Sequence, residues 1–174
     1  MVVITNKMYY KDILQKCNTK REGGILLMFT FLEGFECLKN DKVILKLIEK
    51  NSGDAEILPF YYYDIFDNQN NPVGKISIRI GHNFNSYYNG NIGFEIFDKH
   101  RGFNYSLYAS KLVLKVAQAH KMNDLYITCK ESNIASRKII EKLGAEKKEI
   151  VNIPKECFFY KENLERYIIY LLNL

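Results

Sequence analysis

The chain has 174 residues, 47% of them hydrophobic and 14% aromatic, enough for one substantial core and short for two. Its longest apolar runs, residues 25–32 and 167–172, fall far below the roughly 18 to 20 residues of a membrane helix. Lys20 and Arg21 lie too far into the chain for a signal peptide, so a cytoplasmic protein is expected. The net charge of +5 is spread without an arginine-rich block, which favours a solvated surface with mild preference for anions over a nucleic-acid binder or a membrane binder.

The first 40 residues carry the weakest pattern and are read as an N-terminal extension to a domain over 41–174. Residues 8–17 suggest a short helix with Tyr9, Ile13 and Leu14 on one face, and Gly23-Gly24 separates it from a second element over 25–38 whose type is open. Met28 stands where a second translation start would leave the better-patterned region intact.

From Lys42 the signals sharpen. Residues 43–48 and the tyrosine-rich 60–66 read as strands, and the cluster Asp67-Asn68-Gln69-Asn70-Asn71-Pro72 reads as a turn. Residues 73–80 alternate, with Val73, Lys75, Ser77 and Arg79 opposite Gly74, Ile76, Ile78 and Ile80, so 60–66 and 73–80 should form an antiparallel hairpin. Alternation should also split Phe60-Tyr61-Tyr62-Tyr63 between the core and an open face that could line an acceptor pocket. A polar loop, 81–90, leads to a strand over 91–97.

That strand runs into a helix over 105–120, whose Ala109, Leu112, Val113, Val116 and Ala117 recur at helical spacing as a core-facing stripe. A turn at Asn123-Asp124 and a short buried strand over 125–129 follow. A second helix begins after Ser132-Asn133, carries Ala135, Ile139 and Leu143 on one face, and ends at Gly144, where a left-handed cap belongs. Two strands, 149–153 and 166–172, close the chain around a loop holding Pro154, Phe158, Phe159 and Tyr160. Strands, helix, strand, helix and two strands fit a mixed α/β sheet with helices packed on it.

The cysteines, Cys17, Cys37, Cys129 and Cys157, make no CxxC pair, and the three histidines show no ligand spacing. Neither a disulfide framework nor a metal site is indicated.

The chemistry should lie where strands meet helices. Such a junction offers unpaired backbone N–H groups and the positive end of a helix dipole to an anion. Neither GxxxxGK[ST] nor GxGxxG is present, so neither a P-loop nor a dinucleotide fold is expected. What remains is Arg101-Gly102-Phe103-Asn104-Tyr105-Ser106 at the first junction and Asn133-Ile134-Ala135-Ser136 at the second. Two such junctions on neighbouring parallel strands would make one crevice.

This pattern resembles the GCN5-related N-acetyltransferases, the GNAT superfamily, over about 42–174 and best over 91–144. The resemblance implies a mixed, mostly antiparallel sheet with one parallel, splayed strand pair and helices on both faces. It implies acetyl-CoA as co-substrate: the backbone at Phe94 and Ile96 would hold the pantetheine arm and polarise the thioester, and the 101–106 loop would cradle the pyrophosphate as the family's [QR]xxGx[GA] loop does. Asn104 and Ser106 depart from the family's small residues, but asparagine tolerates a left-handed backbone and serine is small. Asn133, Ser136 and Leu143-Gly144 match the next motif.

Where many members carry a tyrosine as general acid, this chain has Ile140. Glu95 is the candidate base, or an ordinary polar residue on a sheet face; Tyr160 is a candidate acid, or a packing aromatic; Cys129 could open a ping-pong route, or is a small buried hydrophobe. The function implied is direct acetyl transfer to a primary amine of a small molecule or peptide; a homodimer is left open. The alternative is a non-catalytic acyl-CoA-binding module, and a nucleic-acid binder would rest on net charge alone.

Overall fold

The computed structural model describes residues 29–174. The expected helix over 8–17, the Gly23-Gly24 break, Met28 and the start of the element over 25–38 lie outside the described residues. Residues 29–36 form neither helix nor strand, yet Phe29, Phe31 and Phe35 pack against the core, and β1 (Cys37–Lys39) follows them into the first sheet.

That sheet has five strands, all antiparallel, in the order β1, β2 (Val43–Asn51), β3 (Phe60–Asp67), β4 (Pro72–Arg79) and β5 (Ile92–Ile96). The β3–β4 hairpin forms as expected. Its turn is built by the Asp67 carboxylate, which accepts the N–H of Gln69 and of Asn71, while Asn70 takes the positive φ of 61°. Alternation does divide the tyrosines: Tyr61 and Tyr63 are fully buried, whereas Tyr62 lies on the other face under the Lys75 ammonium. Gly74 is required by proximity. A Cβ there would come within 2.2 Å of the Glu95 carbonyl oxygen, so only glycine lets β5 pair at Gly74–Ile96 and Lys75–Glu95.

The polar loop expected over 81–90 contains a short helix, α1 (Phe84–Asn89), which the sequence reading missed. Its six residues are too few for periodicity to show. A reciprocal cap forms it: Asn83 Oδ1 accepts from Ser86 N, and Ser86 Oγ accepts from Asn83 N. Tyr87 then packs edge-on against Tyr126 at 4.8 Å.

Helix α2 (Tyr105–Ala119) buries the predicted stripe. Ala109, Leu112, Val113, Val116 and Ala117 join Leu45, Tyr63, Ile76 and Ile78 in one core. Each large apolar side chain so buried contributes about 1.5–3 kcal/mol. Strand β6 (Asp124–Lys130) and helix α3 (Ile134–Lys142) follow, and a second antiparallel sheet of order β6, β8 (Tyr167–Asn173), β7 (Glu146–Val151) completes the fold. Strand β7 begins three residues before the expected Glu149.

The expected parallel, splayed pair of β5 and β6 is not shown as a ladder: the two strands are assigned to different sheets. They meet where Asn91 N–H donates to the Tyr126 carbonyl and the Asn91 side chain accepts the Tyr126 N–H. The Asn91 side-chain oxygen thus serves the Tyr126 N–H in place of a backbone carbonyl.

Among the described residues no helix is long and apolar enough to cross a membrane, and no group of His, Cys, Asp and Glu side chains is placed to hold a metal ion.

Candidate active site

Beyond Asn91, the end of β5, the start of α2 and the inward face of α3 enclose a cleft of about 360 Å³. The wall begins at Phe94, Glu95 and Ile96. A single 3-10 turn, Asp98–His100, then carries the chain to Arg101, whose guanidinium lies 2.6 Å from the Asp98 carboxylate and whose Nε donates to the Ile96 carbonyl at 3.4 Å. Gly102 and Asn104 both take positive φ, 92° and 57°, and this double left-handed bend swings the chain from strand into helix. The first N–H groups of α2 have no carbonyl of their own helix to bond.

The N-terminus of α3 opens on the same cleft. Asn133 caps it by accepting from Ser136 N at 3.0 Å, which leaves its Nδ2 buried and without a partner. His100 Nε2, also in the cleft wall, is likewise buried and unpartnered. Each is a polar atom in the cleft wall available to a ligand or to water. Arg101, Lys138 and Lys142 add positive charge, and among the described residues Glu95 is the only carboxylate in the lining.

The structure therefore brings together Phe94, Glu95, Ile96, Arg101, Gly102, Asn104, Tyr105, Ser106, Asn133 and Ser136. Two predicted residues stand outside the lining. Phe103 turns outward, 62% exposed, with its ring stacked on Tyr105. Tyr160 closes a turn whose N–H donates to the Cys157 carbonyl. Sequence reasoning missed His100, Lys138 and Lys142. A signal for the lysines existed: Ala135, Lys138, Ile139 and Lys142 recur at i, i+3, i+4 and i+7, one helix face, and it is the face turned to the cleft.

Three other groups can be placed. Ile140 is 1% exposed and belongs to the core, away from the cleft lining. Cys129 is fully buried, and burial pushes its thiol up to about 11, so it is a protonated hydrophobe at neutral pH and not a nucleophile. Burial also raises the Tyr170 phenol, whose hydroxyl faces Glu141 at 3.5 Å.

Residues 36–146 match the model of the GNAT acetyltransferase domain family, more than half of the chain. The chain belongs to the GNAT family. No curated protein matches the sequence closely enough to count as a relative. Among solved structures, this GNAT domain is similar to a Vibrio cholerae protein described as a ribosomal-protein-serine acetyltransferase, with TM-score 0.58, 14% identity, and 79% of this chain and 97% of that chain covered. It is similar to the spermidine/spermine N-acetyltransferase SpeG of Vibrio cholerae, with TM-score 0.55, 12% identity, and 77% and 95% covered. It also resembles Mycobacterium smegmatis RimJ in complex with CoA-disulfide, with TM-score 0.50, 15% identity, and 66% and 53% covered. At such identities the likeness is one of fold. The family assignment makes the chain an acetyltransferase, and GNAT enzymes draw their acyl group from acyl-CoA.

Proposed function

We propose that this domain transfers an acetyl group from acetyl-CoA directly to a primary amine, a polyamine or a peptide amine. The observation that carries the reading is the convergence of two helix N-termini, at Tyr105 and Ile134, on one basic cleft beside a β5 edge that has no ladder partner among the described residues. The residues present fit acetyl-CoA. The turn from Arg101 to Ser106 offers amides to its pyrophosphate, the unpartnered Asn133 amide offers a donor to the pantetheine arm, and the backbone at Phe94 and Ile96 flanks its path.

Acetyl-CoA supplies the activated thioester. The chain's own work is to orient it, to polarise its carbonyl with backbone N–H groups and to take the proton the amine loses as the N–C bond forms and the C–S bond breaks. Glu95 is assigned that proton, directly or through a water. No tyrosine stands at Ile140, so the departing thiolate takes its proton from water. The second reading, a non-catalytic acyl-CoA-binding module, is favoured by the burial of Ile140 where many relatives place an acid.

One measurement separates them. CoA binding is titrated calorimetrically, and thiol release from acetyl-CoA is then followed against a panel of polyamines, aminoglycosides and peptides with free N-termini. Amine-dependent thiol release supports transfer, binding without release supports the module, and absence of CoA binding removes both.

A further inference from the structure

The 101–106 turn contains a non-glycine residue in the left-handed conformation. Asn104 sits at φ 57° and ψ 22° at the N-cap of α2. An N-cap asparagine ordinarily has extended backbone and uses its side chain to accept an amide of its own helix, as Asn83 does for α1. Asn104 does neither: its side chain makes no capping bond. Instead its Oδ1 accepts from Lys142 Nζ at 3.2 Å, a solvent-exposed bond that crosses from the last residue of α3 to the N-cap of α2. Both residues line the cleft.

We propose that Lys142 is a positioning residue for the anion-binding turn: by holding the Asn104 side chain it keeps that residue left-handed and the first amides of α2 aimed into the cleft. The physical reason is steric. A left-handed backbone presses Cβ towards the following carbonyl in any L-residue, and asparagine tolerates this better than most but not as freely as glycine. Held from α3, the side chain is biased against rotating with its backbone into the right-handed or extended well. Gly102, two residues earlier and at φ 92°, needs no such support because it has no Cβ. The bond leaves the ammonium two further donors. Lys142 could therefore also touch a ligand, and the test must separate the two roles.

The inference rests on the proposed binding of acetyl-CoA in this cleft, but part of its test does not. Five proteins are compared: wild type, Lys142→Met, Lys142→Arg, Asn104→Gly and the Lys142→Met/Asn104→Gly double variant. In calorimetric titration, Lys142→Met should weaken CoA binding about 3- to 10-fold, the worth of one hydrogen bond, and Lys142→Arg should recover most of the loss. In the Asn104→Gly background, Lys142→Met should change affinity by less than about 2-fold, because glycine occupies positive φ unaided and has no Oδ1 to hold.

The ligand-free readout is amide exchange at Tyr108, whose N–H donates to the Asn104 carbonyl at 3.2 Å. It should quicken in Lys142→Met relative to wild type. An equal loss of CoA affinity in both backgrounds would make Lys142 a direct ligand and overturn the positioning role. So would unaltered Tyr108 exchange in Lys142→Met. Should the wild-type chain bind no CoA, the functional reading fails and the exchange experiment alone decides the clasp.

Discussion

Asn91 and Tyr126 join the two sheets, each donating its backbone N–H to the other residue: Asn91 to the Tyr126 carbonyl at 2.6 Å, Tyr126 to Asn91 Oδ1 at 2.9 Å. The Asn91 amide nitrogen also donates to the carbonyls of Arg79 and Gly81, so one fully buried side chain ties β4, β6 and the turn after β4. The cleft lies beyond this link, at the C-terminal end of β5.

Asn91→Ala should therefore unfold at lower urea concentration. It leaves the Tyr126 N–H and the Gly81 carbonyl short of a partner, and a buried polar group stripped of its bond costs roughly 1–3 kcal/mol. Asn91→Asp should fare no better, since it keeps one acceptor but loses both donors and buries a carboxyl. Equal unfolding midpoints for wild type and both variants would remove Asn91 from its place as the link between the sheets.

Glu95→Gln keeps the shape of the side chain and removes its basicity. Turnover at saturating substrates should fall roughly 100-fold, the usual worth of one general base, while CoA affinity measured by calorimetry stays within about 2-fold. Lys75, opposite Glu95 in the ladder, is engaged 3.0 Å from Asp64, so the carboxylate does not depend on it for placement. Unchanged turnover from pH 6 to pH 9 would leave an enzyme working by proximity and backbone polarisation alone.

Restoring a tyrosine at position 140 should not restore a general acid. The side chain there is in the core, and overpacking a filled core costs about 1–3 kcal/mol. Ile140→Tyr is expected to lower the melting temperature with no gain in turnover. A gain in rate at undiminished stability would show that the new ring reaches the cleft, and would overturn the placement of this helix face.

His120 gives stability a pH dependence of known sign. Its Nε2 lies 2.8 Å from the Tyr61 hydroxyl, its ring stacks on Phe29, and burial pushes its pKa below the ordinary histidine value. The folded ring resists a proton that the unfolded chain accepts at about pH 6.5. Stability is thus intact above that pH and is lost progressively as pH falls from about 6.5 towards the lower folded value. Urea midpoints at pH 7.5 and pH 5.5 should differ more for wild type than for His120→Gln. An identical difference would mean that other groups carry the whole dependence.

Much of this fold was legible in local pattern. The alternation of Val73–Ile80, the stripe from Ala109 to Ala117, the Asp67–Asn71 turn and the run from Arg101 to Ser106 each express a period or a backbone preference that a few neighbouring residues set by themselves, and the structure bears out the elements read from them. Such signals depend on the spacing of side chains along one strand or helix and need no knowledge of what packs opposite. What only the tertiary structure decided are the relations between elements. β5 and β6 fall in different sheets, linked where Asn91 bonds Tyr126. α1 exists through a local cap and its packing on Tyr126. Ile140 faces the core and Lys142 the cleft because a helix two residues further round presents another side. Lys142 and Asn104 are 38 positions apart, and their bond arises only when α2 and α3 have packed. Contacts of that kind are set by how faces meet in space, and no local period encodes them.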